Sequence, residues 1–496
     1  EATGHPFAMV RSEIARNPEK HVVDLLFDIT EGPHVYVDRI DINGNTITRD
    51  SVIRRNLPMA EGDPYTPFDR KYTKLALQDL GYFSTVSVDQ TQGSAPDRVN
   101  VSANVVEKPT GEFSLGGGYS TDVGILGNAS IKQHNLLGTG IDAGVSGTVA
   151  YYEKQANISI TDPYFLNRNL VAGADFYFIQ NNYQTYQSYR EAQYGMTLRM
   201  GYSYNRYLSQ SFSYTLVDRD VGNFFSGDAD ELAAYGYAYV PSQYVQDSGG
   251  WSLLSQLSTA LTYDRRDNRM KPHSGYMLKI AGDFAGLGGN VKYGRAKIDG
   301  AYYIPLDDLT GNHDWTVQFK GGAGYMGDWS SNSNKNIIDN FYLGGQNLRG
   351  FLQGGAGPRS GHICLSYDSD GKCSNYRPLA GQEDLLGGRL MYTASAQVNF
   401  PLPMGDDLGI SGRYFVDAGG LAGVRVKHRY DNYQKYGNTS LYTPITGDTL
   451  IPRVSTGIGI SWKSPFGLVN IDGAIPIRKE HGDRLYPIRF GFGQQF

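Results

Sequence analysis

Residues 193–205 read Gln-Tyr-Gly-Met-Thr-Leu-Arg-Met-Gly-Tyr-Ser-Tyr-Asn, and their alternation decides the fold. Tyr194, Met196, Leu198, Met200, Tyr202 and Tyr204 fall on one face of an extended strand, with Gln193, Gly195, Thr197, Arg199, Gly201, Ser203 and Asn205 on the other, because successive strand side chains point to opposite sides. One face is apolar and the other is wet. The row covers roughly the nine to eleven residues that a tilted membrane-crossing strand needs, with tyrosines at both ends where interfacial girdles belong. The same split recurs in Leu170, Ala172, Ala174, Phe176 and Phe178 against Asp175. It appears again in Leu408, Ile410, Tyr414 and Val416 against Ser411, Arg413 and Asp417, and in Val469, Ile471 and Ile475 against Asn470 and Asp472. A soluble β-sandwich also alternates. Charges here sit opposite the aromatic face in strand after strand, as a polar lumen and a lipid-facing exterior demand.

Outward from that stretch, strands are expected to begin near residues 112, 124, 140, 155, 168, 189, 209, 251, 275, 291, 313, 387, 407, 452, 466 and 486. That makes sixteen, an even number as bacterial barrels require. The three longest connections, near 220–250, 327–386 and 419–451, follow the seventh, eleventh and thirteenth strands. All three are odd, so they leave the same end of an up-and-down barrel, the extracellular one. The even connections, such as 135–139 and 403–406, are shorter turns.

The first ~108 residues follow different rules. Val35 to Ile42 reads as a strand, Asn43-Gly44-Asn45 as a turn, and Thr66-Pro67-Phe68-Asp69 as a helix start with Thr as N-cap and Pro at the first helical position. The helix is expected to run to about Leu80, to face the sheet with Phe68, Tyr72, Leu75, Ala76 and Leu80, and to stop at Gly81. A shorter helix is expected near Arg49 to Arg55, and two more strands at Thr85–Gln90 and Arg98–Glu107. Residues 1–31 read as the last strands of a preceding module, 32–108 as one small α+β domain, and 109–496 as the barrel.

Composition agrees with a mainly β membrane protein. Of 496 residues 62 are Gly and 37 Tyr, a Gly share well above the roughly 7% average. No apolar run approaches the ~18 residues of a transmembrane helix. A net charge of −5 lacks the basic footprint of a nucleic-acid binder. Glu1 opens into a polar stretch without the basic region and apolar core of a signal peptide, so the numbering is expected to start inside a longer precursor. Cys364 and Cys373, in a Gly-, Ser- and Asp-rich segment, suit a local disulfide in an oxidising compartment, with two free thiols as the alternative.

Enzyme signatures fail. There is no G-x-S-x-G, no H-E-x-x-H and no Walker A loop. Residues 322–327 match G-x-G-x-x-G by letters but lie in a strand with no helix behind it. Asp368-Ser369-Asp370-Gly371 starts like a calcium loop yet lacks the closing Glu. The nine histidines are scattered, none at a spacing that suggests metal ligation. The chain is therefore expected not to be an enzyme, and to need no cofactor or metal.

Leu348-Arg349-Gly350-Phe351 in the longest loop, Phe415-Val416-Asp417-Ala418-Gly419 at the end of the thirteenth strand, and the C-terminal Phe490-Gly491-Phe492-Gly493-Gln494-Gln495-Phe496 together resemble one family, the outer-membrane protein insertases. The resemblance covers essentially the whole chain. It implies a 16-stranded transmembrane β-barrel preceded by a POTRA domain, with the end of another POTRA domain before it. It also implies that the loop folds back into the lumen so that Arg349 of the Arg349-Gly350-Phe351 motif meets Asp417. Strand phase independently turns Asp417 inward. Where relatives can carry a Glu in the twelfth strand, this chain has Gln397, which removes a third ionic partner for Arg349.

The first strand carries Gly116, Gly117 and Gly118, and the last carries Gly491 and Gly493 before Phe496. Glycine in a strand offers no side chain to pack and costs backbone entropy. The closing seam is therefore expected to be the weakest ladder, where a client strand would pair. The family resemblance implies unfolded outer-membrane β-barrel proteins as clients, with accessory lipoproteins, periplasmic chaperones and the lipid bilayer as partners. The location it implies is the bacterial outer membrane, with the POTRA part in the periplasm. A related secretion pore, of the two-partner or TamA type, is the alternative; a passive porin lacks the preceding module.

Overall fold

The computed structural model describes residues 9–17, 22–121, 123–182, 188–222, 224, 229–269, 271–329, 337–367, 369, 373–378, 383–402, 409–426, 444–464 and 467–493. The chain divides into two compact units, one of residues 1–113 with 131–144 and 160–163, the other of residues 114–130, 145–159 and 164–496.

The first unit holds a hairpin, Met9–Asn17 against Val22–Thr30, and a three-stranded sheet with Arg98–Glu107 at its centre, parallel to Tyr36–Asn43 and antiparallel to Phe83–Gln92. Helices Asp50–Arg54 and Pro67–Asp79 contribute Val52, Ile53 and Leu77 to the core, which the sheet completes with Val37, Ile40, Val86, Val101 and Val105. The long helix starts where the sequence says. Thr66 Oγ1 accepts from the Asp69 amide at 3.1 Å, Pro67 stands first, and Gly81 turns the chain at φ +73°.

The helix face that packs is not the expected one. Thr73 and Leu77 are buried, with Leu80 partly buried beside them, while Phe68, Tyr72 and Leu75 are exposed. Thr66, Thr73, Leu77 and Leu80 form the inward strip, spaced seven, four and three residues apart as one helix stripe. Assigning the face by apolar residue type alone rotated it by about one residue.

A second local device is the Glu107 carboxylate, which accepts from the Thr46 amide at 3.0 Å, the Thr46 hydroxyl at 2.7 Å, the Ile47 amide at 2.9 Å and the Thr48 amide at 2.6 Å. Partial burial works against its ionisation, yet these donors hold its carboxyl down to about 2. It thereby fixes the loop that leads into the short helix.

The second architecture is a closed, consecutively paired barrel of sixteen strands. Numbered from 1 to 16 they are Gly111–Ser120, Gly124–Gln133, Asp142–Ala150, Glu153–Asp162, Leu170–Asn182, Arg190–Ser203, Leu208–Gly222, Gly250–Asp264, Gly275–Ala285, Tyr293–Pro305, Thr316–Asp328, Leu390–Pro401, Ile410–Ala422, Thr449–Ser464, Gly467–Arg478 and Ile488–Gly493. The long connections do follow strands 7, 11 and 13. Within them, helices Ala229–Tyr235 and Gln243–Gln246 and a three-stranded sheet of Ala238–Val240, His362–Tyr367 and Cys373–Pro378 give the loops structure of their own.

The rows that the sequence places outward are exposed in part. Tyr194, Leu198, Met200 and Tyr202 on strand 6 with Tyr204 just beyond it, Phe176 on strand 5, Tyr414 on strand 13, and Ile471 and Ile475 on strand 15 present apolar surface, while Met196, Leu170, Ala172, Ala174, Phe178, Ile410, Val416 and Val469 are half-buried and Leu408 lies outside the described residues. No soluble core covers them, so lipid is the solvent that suits this exterior. Inside, Arg199 binds Asp175, Arg295 Nε binds Asp283 at 2.7 Å and Arg413 Nε binds Asp472 at 2.7 Å. These interior charges are thus paired across strands.

Candidate functional site

Among the described residues of the 329–389 connection, 348–351 reach the wall of strands 12 and 13. Leu348 and Phe351 are fully buried in a cluster with Tyr293, Met326, Phe341, Leu343 and Leu421. Gly350 takes φ +88°, a left-handed conformation, and a Cβ there would lie 3.2 Å from Ala474 Cβ. Small residues opposite it, Ser455 and Ala474, let the backbone come this close.

That turn delivers Arg349 onto Asp417. Arg349 Nε and Nη2 each donate to the Asp417 carboxylate at 2.7 Å, and the Arg349 amide donates to it at 3.2 Å. The pair is bidentate and nearly dry, with side-chain exposures of 13% and 3%. Register explains the surroundings. Strand 12 sets Ser395 beside Asp417 and Gln397 beside Phe415. Arg349 Nη1 donates to Gln397 Oε1 at 2.8 Å, Nη2 donates to Ser395 Oγ at 3.2 Å, and the Ser395 hydroxyl donates to Asp417 at 2.7 Å. The guanidinium carbon lies 3.4 Å from the Phe415 ring centroid. Gly457 makes room for that ring, since a Cβ at 457 would meet Phe415 at 2.6 Å.

Gln397 thus serves as a neutral acceptor where an acidic residue would add a second anion. Sequence reasoning missed Phe415 and Ser395 as partners, although the period-two phase already set Phe415 on the face of Asp417. It also missed a second buried cluster. Asp483, before strand 16, accepts from Arg359 Nη1 at 2.9 Å and Arg453 Nε at 3.2 Å, with all three side chains at 0% exposure. Loop residues carry no periodicity that would announce such a meeting.

The same loop is stitched to the segment that enters strand 16. Gly350 pairs with Tyr486 and Phe351 with Leu485, the Leu352 amide donates to Arg484 O at 2.9 Å, and the Arg484 amide returns the bond to Gly355 O at 2.9 Å.

Among the described residues, strand 16 closes the barrel thinly. Strand 7 pairs with strand 8 from Leu208↔Tyr263 to Val221↔Gly250, and strand 15 with strand 16 from Leu468↔Gly493 to Gly473↔Ile488. Between strands 16 and 1, the pairs among the described residues are Gly491↔Ser120 and Phe492↔Tyr119, with the Thr121 amide donating to Phe490 O at 3.0 Å. Gly116, Gly117 and Gly118 lie on strand 1 beyond those pairs, Gly493 pairs with strand 15, and Phe496 lies outside the described residues. Tyr119 and Phe490 reinforce the closure with ring centroids 5.9 Å apart. Cys364 is disulfide-bonded and no free cysteine is present among the described residues. Cys373 lies on the adjacent loop strand, its side chain outside those described.

The Omp85 superfamily domain model matches residues 135–496, and the POTRA model, described as a surface antigen variable number repeat, matches residues 35–108. The chain is 26% identical over 493 residues to the outer membrane protein assembly factor BamA of Neorickettsia risticii (strain Illinois), covering 99% of this chain and 59% of that protein. It is 26% identical over 517 residues to BamA of Neisseria meningitidis serogroup B, covering 100% of this chain and 61% of that protein. It therefore spans about six-tenths of the length of these relatives. The crystal structure of BamA from Haemophilus ducreyi lacking POTRA domains 1–3 is similar with a TM-score of 0.76 at 25% identity, covering 99% of this chain and 90% of that one.

Proposed function

The chain belongs to the Omp85 superfamily, and from that premise we propose that it works in the bacterial outer membrane as the barrel subunit that folds and inserts client β-barrel proteins. The observation that carries the reading is the short ladder between strands 16 and 1 among the described residues. An opened seam bares backbone donors and acceptors at membrane depth, which hydrocarbon cannot satisfy. A client strand pairing with the bared edge satisfies them by β-augmentation. Insertion then needs no covalent step. Gly491, in the seam pair with Ser120, offers no side chain to hold it, and Gly116, Gly117 and Gly118 beyond the pairs, with Gly493 at the end of strand 16, leave the two edge strands weakly packed there. Arg349, Gly350 and Phe351 pin the loop to Asp417 and, through Leu485 and Tyr486, to the root of strand 16. The front module lies in the periplasm, where accessory lipoproteins and chaperones deliver clients to it. The Cys364–Cys373 bridge ties the loop hairpin in that oxidising setting. Against the secretion-pore alternative stands the likeness to barrel assembly factors over nearly the whole chain.

The test is a lock. Ser120 and Gly491 face each other where Thr121 donates to Phe490 one position on, so they form the non-hydrogen-bonded type of pair, whose side chains approach closely. The double variant Ser120→Cys, Gly491→Cys closes the seam when oxidised. Reconstituted in liposomes, it is expected to stop inserting an unfolded eight-stranded barrel and to recover on reduction, with the parent as control for its native disulfide. Undiminished insertion by the oxidised form rejects the gate.

A further inference from the structure

Two histidines far apart in the sequence meet at the even-connection end of the barrel. His273 closes the connection between strands 8 and 9, and Asp307 and His313 belong to the one between strands 10 and 11. Because strands 9 and 10 are neighbours, these two turns lie side by side. His273 Nε2 stands 3.0 Å from Asp307 Oδ1, His313 Nδ1 stands 2.8 Å from Asp307 Oδ2, and the imidazole centroids are 3.8 Å apart. The three residues offer ligand atoms within 4.8 Å of one another.

Two of those atoms are in an awkward state. His273 Nε2 and Asp307 Oδ1 are shielded from solvent and have no aligned hydrogen bond, although they face each other. A shielded polar atom without a partner costs free energy, and a cation between them would satisfy both. The scaffold is firm. The Asp267 carboxylate accepts from the His273 and Ser274 amides, each at 3.0 Å, and Lys271 Nζ ties the two turns a second time at 3.2 Å from Asp314.

We propose that His273, Asp307 and His313 form a site for a divalent transition-metal ion of the zinc class, which staples the two turns together. Two imidazoles with one carboxylate suit such an ion, whereas calcium and magnesium prefer oxygen ligands throughout. Bonds of ~2.0–2.1 Å in a tetrahedron put ligand atoms about 3.3 Å apart, between the 2.8–3.0 Å of the two His–Asp contacts and the 4.8 Å within which the three ligand atoms lie. The His313 side chain, 78% exposed, adjusts to that spacing, and water takes the fourth position.

The untagged chain, folded in detergent micelles and stripped with chelator, is titrated with Zn²⁺ against a chromophoric competitor, and with Co²⁺ to read coordination from its visible absorption. One ion per chain with a tetrahedral Co²⁺ spectrum is expected. Affinity should fall at acidic pH, since protons compete for imidazole nitrogen. His313→Ala, which removes a mostly exposed side chain and leaves the fold, should weaken binding at least tenfold, while His34→Ala in the front module should not. Absence of a stoichiometric ion in the parent, or equal binding by His313→Ala, overturns the site.

Discussion

Replacing Asp417 with Asn tests whether the loop is pinned electrostatically. The substitution keeps the shape and removes the charge, so Arg349 loses two charge-assisted bonds of 2.7 Å. Solvent does little to replace them, because the two side chains are 13% and 3% exposed. Breaking a buried ion pair from one side costs ~3–5 kcal/mol. The bonds to Gln397 and Ser395 and the Phe415 ring face persist, and each offsets on the order of 0.5–1 kcal/mol. The net cost is about 2 kcal/mol, roughly thirtyfold in the ratio of docked to undocked loop. Amide hydrogen exchange in nanodiscs reads this directly, since Leu352 and Arg484 donate across the junction between the loop and the root of strand 16, and exchange from a local opening scales with that ratio. Both amides are expected to exchange about thirtyfold faster in Asp417→Asn. In Arg349→Met with Asp417→Leu, where neither charge remains to be stranded, most of the protection should return. Acceleration under threefold in the single variant, or no recovery in the double, refutes the reasoning.

Gly350→Ala forces a left-handed φ of +88° on a residue with a Cβ and sets that atom 3.2 Å from Ala474 Cβ; at ~1–2 kcal/mol the same amides should exchange roughly tenfold faster, and an unchanged rate would show that the turn relaxes. Glu107 supplies a pH dependence in the front module. Its folded carboxyl, at about 2, lies below the ordinary 4.5, so its contribution is complete above pH 4.5 and is lost as pH falls towards 2. Solvent screening at this partly exposed site reduces that contribution to ~1–2 kcal/mol, and Glu107→Gln should lose as much at pH 7 while flattening the acid dependence of exchange at the Thr46–Thr48 amides. Equal acid sensitivity in the two proteins would remove Glu107 from the account.

The barrel was legible because two solvents wrote it. Each strand passes between lipid and a wet lumen, so residue type alternates with period two, and Tyr194 to Tyr204 could be phased from letters alone. Connection parity then set the long loops at one end, which is why strand starts near 124, 251 and 275 agree with Gly124, Gly250 and Gly275. The long helix of the front module was legible at its ends, where Thr66, Pro67 and Gly81 act locally, and misread on its packed face, where the elements it meets decide. Local chemistry is written in the sequence next to where it acts. Packing partners are not.

The same division explains the site. Asp417 could be turned inward from strand phase, but what makes the pocket fit Arg349 is register: Ser395 opposite Asp417 and Gln397 opposite Phe415. Register is a property of strand pairs, and no single strand carries it. The loop is harder still, since its path depends on positive-φ glycines at 344, 345, 350, 354 and 357 and, at Gly350, on small residues at 455 and 474 that only the closed barrel brings opposite it. His273 and His313 follow the same logic: their separation in the chain says nothing, while the pairing of strands 9 and 10 makes their turns adjacent. A barrel therefore hides its sites in the connections and displays its architecture in the strands, because lipid constrains every second strand residue and leaves the loops to be specified by contacts made after closure.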